Sequence, residues 1–240
     1  MNNSFTNCHL NKFMKTILVT GASGNLGKEV VEHLHQQGYA ILATLGSSHE
    51  MGMFNHLLHV KAQVVDVLDP DSVNVFLDEH EAANLQAAVL LVGGFAMGGL
   101  QETDADLLHR MYGLNFLSAF NVVKPLMARF ERQGGGQFIL IGARPALHPD
   151  EGKNMVAYAL SKALIFELAK LINAEGNAQQ ITATVVVPGT IDTPANRTAM
   201  PDADPSRWVP TDNIAELIGF LLSDTGRMTR DTVVSIYNQS

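Results

Sequence analysis

Thr16-Ile-Leu-Val-Thr20-Gly21-Ala-Ser-Gly24-Asn-Leu-Gly27 is the stretch of this 240-residue chain that decides its fold class. A short apolar run leads directly into three spaced glycines, and the amphipathic segment Lys28-Glu-Val-Val-Glu-His-Leu34 follows. Strand, glycine turn and helix in this order are typical of a dinucleotide-binding unit, because glycines let the backbone approach a pyrophosphate and a helix N-terminus offers unpaired N–H groups. The alternative is a tight strand-to-helix turn that binds no ligand.

Beyond this stretch, short apolar runs alternate with longer helical segments along the whole chain. The predicted strands are Thr16–Thr20, Ala40–Thr44, Ala62–Asp66, Ala87–Val92, Gln137–Ile141, Thr182–Val187 and Thr232–Ile236. The predicted helices are Asn25–Gln37, Asp71–His80, Thr103–Arg132, Met155–Ala174 and Thr211–Ser223. Such alternation is the signature of right-handed βαβ units. It predicts a doubly wound, Rossmann-type parallel sheet of about seven strands with helices on both faces, in a single domain over 14–240.

The composition limits the possible partners. The chain is 46% apolar and 17% charged, and its formal net charge of -8 argues against nucleic acid and anionic membrane surfaces as partners. The single cysteine, Cys8, cannot form an intramolecular disulfide, and no run of about 18 apolar residues exists to span a bilayer. We therefore expect a cytoplasmic protein. Residues 1–13 lack the apolar core of a signal peptide and are predicted to form a loose tail.

The glycine loop supplies the first group of predicted cofactor contacts. Its members are Gly21, Ser23, Gly24, Asn25, Leu26 and Gly27. A 2′-phosphate on the cofactor is usually distinguished at the end of the second strand, about 20 residues further on. The segment Thr44-Leu-Gly-Ser-Ser-His49 places neither a carboxylate nor an arginine there. We therefore favour NADP slightly over NAD, with Ser47 among the donors.

Asp66 and Val67 come at the end of the third predicted strand and belong to the predicted cofactor site. Asp66 has two interpretations. Its carboxylate hydrogen-bonds the adenine amino group, or it serves only as the turn residue before the next helix.

Tyr158-Ala-Leu-Ser-Lys162 lies near the start of a predicted helix, and its i,i+4 spacing places both side chains on one face. A tyrosine with its ordinary pKa of about 10 is a poor proton shuttle at neutral pH. A neighbouring ammonium and an oxidised nicotinamide both favour the phenolate, so we expect Lys162 to lower the pKa of Tyr158. The pair is the predicted proton-transfer machinery.

Three features together resemble the short-chain dehydrogenase/reductase family over nearly the whole chain. They are the glycine loop, the tyrosine and lysine helix after the fifth strand, and Pro188-Gly-Thr-Ile-Asp-Thr193 after the sixth. The resemblance implies that Tyr158 is the general acid of a reduction, that Lys162 also binds the nicotinamide ribose, and that Asn115 completes a proton relay through water. It also implies cofactor contacts from two further segments. These contacts are Gly93, Gly94, Pro188, Gly189, Ile191 and Thr193.

Two departures from the family pattern narrow the resemblance. The loop has Gly-x-x-Gly-x-x-Gly spacing, and Ala143 stands where the family's catalytic serine is expected. These two departures resemble the dihydropteridine reductase-like branch of the family. The segments Val92-Gly-Gly-Phe-Ala-Met-Gly-Gly99 and Asp192 to Pro210 resemble the same branch. In that branch a quinonoid ring accepts the hydride, and such a ring is electrophilic without a serine to polarise it. Asn115 is more like the wider family than like that branch.

The sequence thus predicts an NAD(P)H-dependent oxidoreductase that transfers hydride to a small carbonyl or quinonoid substrate. A competing hypothesis is a catalytically silent NAD(P)-binding sensor, motivated by the missing serine and the unusual glycine loop. The retained Tyr158, Lys162 and Asn115 speak against it. The resemblance also suggests a homodimer or homotetramer formed through the helices over 103–132 and 155–174.

Several other residues have two interpretations each. Residues 190–212 are predicted to hold a substrate flap that includes Trp208, or else a proline-rich surface connection with one packed indole. Arg144 and Arg197 are either anchors for a polar substrate or solvated surface residues. No metal site is predicted, because the histidine pairs lack a third ligand at a recognisable spacing.

Overall fold

The computed structural model describes residues 14–239. Its strands are β1 (Thr16–Thr20), β2 (Ala40–Leu45), β3 (Val60–Val64), β4 (Leu85–Leu90), β5 (Gly136–Ile141), β6 (Ile181–Pro188), β7 (Ile191–Asp192), β8 (Val209–Pro210) and β9 (Val233–Ile236). Its helices are α1 (Asn25–Gln36), α2 (Pro70–Glu79), α3 (Ala105–Tyr112), α4 (Ser118–Gln133), α5 (Pro149–Gly152), α6 (Val156–Gly176), α7 (Pro194–Ala199) and α8 (Thr211–Leu222). The predicted tail over 1–13, with Cys8, lies outside the described residues.

Seven strands form one parallel sheet in the order β3-β2-β1-β4-β5-β6-β9, which confirms the predicted doubly wound fold. The chain builds outward from β1 to β3 and then crosses back to β4, where Thr20 is in register with Leu90. The direction of winding therefore reverses between β1 and β4. Ligands of open α/β sheets bind in the crevice outside the carboxyl ends of the strands at such a point.

Side chains of each central strand alternate between two buried apolar clusters, one on each face of the sheet. On β1, Ile17 and Val19 join the cluster that also takes in α1 and α8, whereas Leu18 joins the cluster shared with α2, α4 and α6. Every residue of β1 is buried, as expected for a strand covered on both faces. Across residues 14–239, no helix has both the length and the apolar character needed to cross a membrane.

The predicted helix Thr103–Arg132 is three segments in the structure. A π-helical turn over Gly113–Leu117 separates α3 from α4. Such turns accommodate an extra residue and often mark functional sites. Here the turn carries Asn115, which is 1% exposed.

Two predicted strands are displaced toward the N-terminus. β3 begins and ends two residues before the prediction, and so does β4. β4 ends at Leu90 because the next N–H, that of Leu91, donates to Thr20 Oγ1 at 3.2 Å. The short elements α5, α7, β7 and β8 were not predicted, since none is long enough to show a hydrophobic period.

Candidate active site

The glycine loop connects β1 to α1 at the crevice. Gly21 has φ +65°, which favours glycine, and a Cβ there would lie 3.1 Å from Val92 Cγ2. Gly24 is the N-cap of α1 and has no side chain with which to cap the helix. The N-terminal N–H groups of α1 are thus left for a ligand, and the bare backbone of the loop fits a pyrophosphate.

The other loop residues complete this cradle. Ser23 and Leu26 are partly exposed and Asn25 is exposed, so all three border the crevice end of β1. Gly27 is buried, and a Cβ there would overlap Gly21 O and come within 2.8 Å of Ala22 Cα. The third glycine therefore serves close packing of the helix against the loop.

The end of β2 carries a carboxylate that the sequence analysis did not place there. Ser47 caps a 3₁₀ turn over Ser48–Glu50 and accepts the N–H of His49 at 3.3 Å. Glu50 folds back, and its Oε2 accepts the N–H groups of Gly46 and Ser47 at 3.2 Å each. The segment over 44–49 itself has no carboxylate, but Glu50 places one beside it, where a 2′-substituent is usually distinguished. The slight preference for NADP stays a prediction.

Asp66 serves as a turn residue before α2, which was one of the two interpretations of this position. Its Oδ1 accepts the N–H of Leu68 at 2.9 Å, and its own N–H donates to Ser72 Oγ at 3.2 Å. The side chain of Val67 is buried, and its carbonyl accepts from Asn121 Nδ2 at 3.0 Å. Contact of Asp66 or Val67 with the adenine ring stays a prediction.

Asn115 binds the glycine turn that follows β4. Its Oδ1 accepts the N–H of Gly94 at 2.9 Å, and its Nδ2 donates to Gly94 O at 3.0 Å. Nδ2 also donates to Ser161 Oγ at 3.0 Å. A Cβ at Gly93 would lie 2.7 Å from Asn115 Oδ1 and 3.4 Å from Lys162 Nζ. The structure thus brings Gly93, Gly94, Asn115 and Lys162 together, as the resemblance implied.

Tyr158 and Lys162 lie on the first two turns of α6, and Lys162 Nζ donates to Ile141 O at 2.8 Å. Burial lowers the pKa of Lys162 to about 8 and raises the pKa of Tyr158 to about 12. Burial alone accounts for the raised pKa of Tyr158, because it disfavours the charged phenolate. Tyr158 is consequently protonated at neutral pH, which is the form that a proton donor requires. The lowering expected from Lys162 and from an oxidised nicotinamide stays a prediction.

The surroundings of Tyr158 are apolar. Phe95 is 60% exposed, and its ring lies 5.1 Å from the ring of Tyr158 at an interplanar angle of 71°. Ala143, at the end of β5, is buried and offers no hydroxyl. Met97, on the same loop as Phe95, is also largely exposed. Phe95 thus presents an exposed aromatic face beside Tyr158.

The segment after β6 is held in place by backbone and side-chain hydrogen bonds. Pro188 ends β6, and the N–H of Gly189 donates to Ile236 O at 2.8 Å. Asn196 Nδ2 donates to Ile191 O at 2.8 Å, and Thr193 Oγ1 caps α7 by accepting the N–H of Asn196 at 3.2 Å. Contact of these residues with a carboxamide stays a prediction.

The indole of Trp208 is packed in this structure, and its role in a substrate flap stays a prediction. It is 5% exposed, and its carbonyl accepts from Asn238 Nδ2 at 2.7 Å. Arg197 forms a bidentate pair with Asp192 at 2.6 and 2.7 Å, and Arg144 pairs with Glu151 at 2.6 Å. Both arginines thus have partners within the protein. The predicted substrate flap over 190–212 stays a proposal.

Sequence reasoning missed three residues that the structure places in or beside the site. Glu50 had a local signal, since Ser47-x-x-Glu50 is a capping-box pattern. Phe95 and Ser161 had none, because their contacts join residues far apart in the chain. Within residues 14–239, no group of three His, Cys, Asp or Glu side chains is arranged to hold a metal ion.

A glycine cradle lies at the switch point of the parallel sheet, and a tyrosine and a lysine lie beside it on one helix. This combination defines a nicotinamide-dependent oxidoreductase. The chain belongs to the short-chain dehydrogenase/reductase family, because the family model described as short chain dehydrogenase matches residues 15–204.

Similar proteins span nearly the whole chain. Dihydropteridine reductase of Dictyostelium discoideum is 29% identical over 238 residues, which cover 94% of this chain and 96% of that protein. The chloroplastic NADPH-dependent aldehyde reductase 2 of Arabidopsis thaliana is 24% identical and covers 92% of this chain and 91% of its own length. A solved short-chain type dehydrogenase/reductase from Mycobacterium ulcerans has a TM-score of 0.85 at 22% identity and covers 94% of this chain and 89% of its own.

Proposed function

We propose that this oxidoreductase reduces a small carbonyl or quinonoid substrate, that a dihydropteridine-type ring is the first substrate to test, and that Tyr158 donates the proton. The bound nicotinamide supplies the hydride. The observation that carries the proposal is the exposed Phe95 ring set edge-on to Tyr158, because it offers a planar substrate a face to pack on beside the donor.

The residues around Tyr158 support an electrophilic substrate. Ala143 has no hydroxyl to polarise a carbonyl oxygen, so a substrate that already accepts hydride readily is better suited to this site. The similarity to the Dictyostelium dihydropteridine reductase points the same way. Lys162, held by Ile141 O, carries the donors that would bind the nicotinamide ribose.

Replacing Tyr158 with phenylalanine is expected to lower kcat on a plain carbonyl substrate by about 100-fold or more, since the general acid is lost. The loss on a quinonoid dihydropterin is expected to be smaller, because that ring needs less help from an acid. Single-turnover oxidation of NADH and NADPH measures both rates. Tyr39→Phe is the matched control, because Tyr39 lies just before β2, at the edge of the sheet opposite the crevice, and its hydroxyl donates to Leu222 O at 3.3 Å.

Two results would contradict the assignment. Normal rates for Tyr158→Phe on every accepted substrate would remove Tyr158 as the donor. Tight cofactor binding by the wild-type protein without turnover across carbonyl and quinonoid substrates would instead favour the sensor hypothesis.

The position of Glu50 favours NADH over NADPH, in contrast to the preference drawn from the sequence. Its carboxylate occupies the N–H groups of Gly46 and Ser47 that a 2′-phosphate would need, and it would repel that phosphate. The name of the Arabidopsis relative includes NADPH, and a solved neighbour described as ElxO with NADP bound has a TM-score of 0.86. These proteins are 24% and 20% identical to this chain.

We expect kcat/KM of the wild-type protein to be higher with NADH than with NADPH. Glu50→Gln keeps an oxygen for the two N–H groups and removes the charge, so the ratio should shift toward NADPH by about tenfold or more. Glu175→Gln, at an exposed position near the end of α6, is the charge-matched control. A wild-type preference for NADPH that Glu50→Gln leaves unchanged would refute the role of Glu50.

The exposed apolar surface of the long helices supports a homo-oligomer. Tyr112, Phe116 and Phe120 stack in a row with ring centroids 5.3 and 5.8 Å apart, and Leu160 and Leu164 are exposed on α6. We propose that a second copy of the chain covers this surface. A cytoplasmic location stays a prediction.

Light scattering is expected to give a mass that is a multiple of the 26.0 kDa chain, and Phe120→Glu should reduce it because the charge would be buried in the contact. Phe220→Glu, on α8, makes the same change on a different surface. A mass that falls with Phe220→Glu and not with Phe120→Glu would place the contact elsewhere.

A further inference from the structure

A buried chain of hydrogen bonds runs from the glycine turn after β4 to the catalytic helix α6. Gly94 is bound through both its N–H and its carbonyl by the side chain of Asn115. Asn115 Nδ2 then donates to Ser161 Oγ at 3.0 Å, and Ser161 Oγ donates to Tyr158 O at 2.8 Å. Asn115 and Ser161 are 1% and 3% exposed, so water does not replace these bonds easily.

In this chain of hydrogen bonds, the donor and acceptor roles in one bond are fixed by the bond that follows it. Because Ser161 gives its only hydroxyl proton to Tyr158 O, a lone pair of Oγ faces Asn115 and can accept from it. Asn115 Nδ2 has two N–H groups, and Gly94 O and Ser161 Oγ take them. Removing the serine hydroxyl would leave one buried N–H of Asn115 with only the distant sulfur of Met111, at 3.9 Å.

The glycine turn at the other end of this chain lies against Lys162. A Cβ at Gly93 would be 2.7 Å from Asn115 Oδ1 and 3.4 Å from Lys162 Nζ, so the turn has little room to move toward either group. Lys162 itself is held from the other side by Ile141 O. The position of the turn relative to Lys162 and Tyr158 therefore depends on Asn115 keeping its orientation.

We infer that Ser161 is a positioning residue of this active site. Acting through Asn115, it fixes the Gly93-Gly94 turn relative to Tyr158 and Lys162, and so fixes the wall against which the nicotinamide ribose would lie. Ser161 has no nucleophilic role, because its proton is given to a backbone carbonyl. The inference rests on the cofactor site of the proposed function and on no particular substrate.

Ser161→Ala tests this role with NADH itself as the probe. Fluorescence titration should show that the dissociation constant for NADH rises about three- to tenfold, which corresponds to one lost buried hydrogen bond. On any accepted substrate, kcat should fall about tenfold or more, because small misplacements of reacting groups are costly. The KM for the second substrate should stay within about twofold, because Ser161 does not contact it.

Ser223→Ala is the matched control. Ser223 is a partly buried serine at the end of α8, and its hydroxyl likewise donates to the backbone carbonyl three residues earlier, that of Phe220 at 2.6 Å. Its loss should lower the melting temperature about as much as the loss of the Ser161 hydroxyl, without changing NADH binding. Ser161→Thr keeps a hydroxyl that can bond to the preceding turn and should restore NADH affinity to within about threefold of wild type.

A double-mutant cycle with Asn115→Ala tests whether Ser161 affects NADH affinity through Asn115. If Ser161 acts through Asn115, Ser161→Ala should add little to the loss of NADH affinity that Asn115→Ala already causes. Full additivity would overturn the inference, and so would wild-type NADH affinity and kcat in Ser161→Ala, or equal losses in Ser223→Ala. Altered NADH binding with no turnover of dihydropterin would leave the inference standing and refute only the proposed substrate.

Discussion

Replacing Lys162 with methionine is expected to lower turnover by about two to four orders of magnitude and, at the same time, to stabilise the free protein. Turnover falls because the variant loses the buried ammonium that we propose to serve Tyr158 and the cofactor. Stability rises because burial lowers the pKa of Lys162 to about 8, so keeping the side chain charged at neutral pH costs folding free energy. The expected gain in the free energy of unfolding is about 1 to 3 kcal/mol. The variant no longer has the cost that the lowered pKa implies, but it also loses the hydrogen bond to Ile141 O.

The lowered pKa of Lys162 also predicts how the free energy of unfolding changes with pH. Between about pH 8 and pH 10 the unfolded chain keeps the proton on Lys162 and the folded chain releases it, so the unfolded state binds more protons. The free energy of unfolding therefore rises with pH in that window for the wild-type protein. The contribution of Lys162 to this rise should be absent in Lys162→Met.

Urea unfolding at several pH values measures both effects. Lys170→Met is the control, because Lys170 lies two turns further along α6, is exposed and pairs with Glu167 at 2.6 Å. If Lys162→Met were less stable than wild type at every pH, the lysine would be contributing more through its hydrogen bond than its burial costs. Turnover close to wild type would remove Lys162 from the catalytic machinery.

Gly27→Ala is expected to abolish measurable NADH binding and to destabilise the fold by about 1 to 3 kcal/mol. The added Cβ would overlap Gly21 O and lie 2.8 Å from the Cα of Ala22. Only backbone lies in its way, so the loop must shift away from the start of α1. That shift would separate the glycine loop from the N-terminus of α1. These two parts together form the proposed pyrophosphate cradle.

Gly52→Ala is the matched control for the loop, since the nearest atom to a Cβ there is Asn55 Nδ2 at 3.8 Å. NADH titration and thermal unfolding should show near wild-type behaviour for that variant. If Gly27→Ala bound NADH normally, the cradle would have to lie elsewhere in the crevice.

Part of the site was predictable because it depends on local spacing. Tyr158 and Lys162 share a face of α6 by their i,i+4 separation alone, and the glycine loop follows β1 directly in sequence. The five inner strands were recognisable as short apolar runs that are largely buried on both faces, whereas the edge strands β3 and β9 are only partly buried. The loop's position at the switch point between β1 and β4 then follows from the order of such a sheet.

Other parts depend on packing between distant segments. Phe95 meets Tyr158 across 63 residues of sequence, and Asn115 meets Ser161 across 46. The π-helical turn that directs Asn115 inward interrupts a segment whose pattern predicts one continuous helix. Neither contact has a signature in the sequence, because each depends on the register of strands and helices that are assembled only in the folded chain.

The sequence by itself determined the fold class, the crevice and the tyrosine and lysine pair, because backbone period and residue spacing are local properties. Only the tertiary structure decided that Phe95 meets Tyr158, that Ser161 connects α6 to the glycine turn, and that burial moves the pKa of Tyr158 upward. Burial, charge and hydrogen-bond partners are collective properties of the packed chain, so they are fixed only when the sheet and its helices come together.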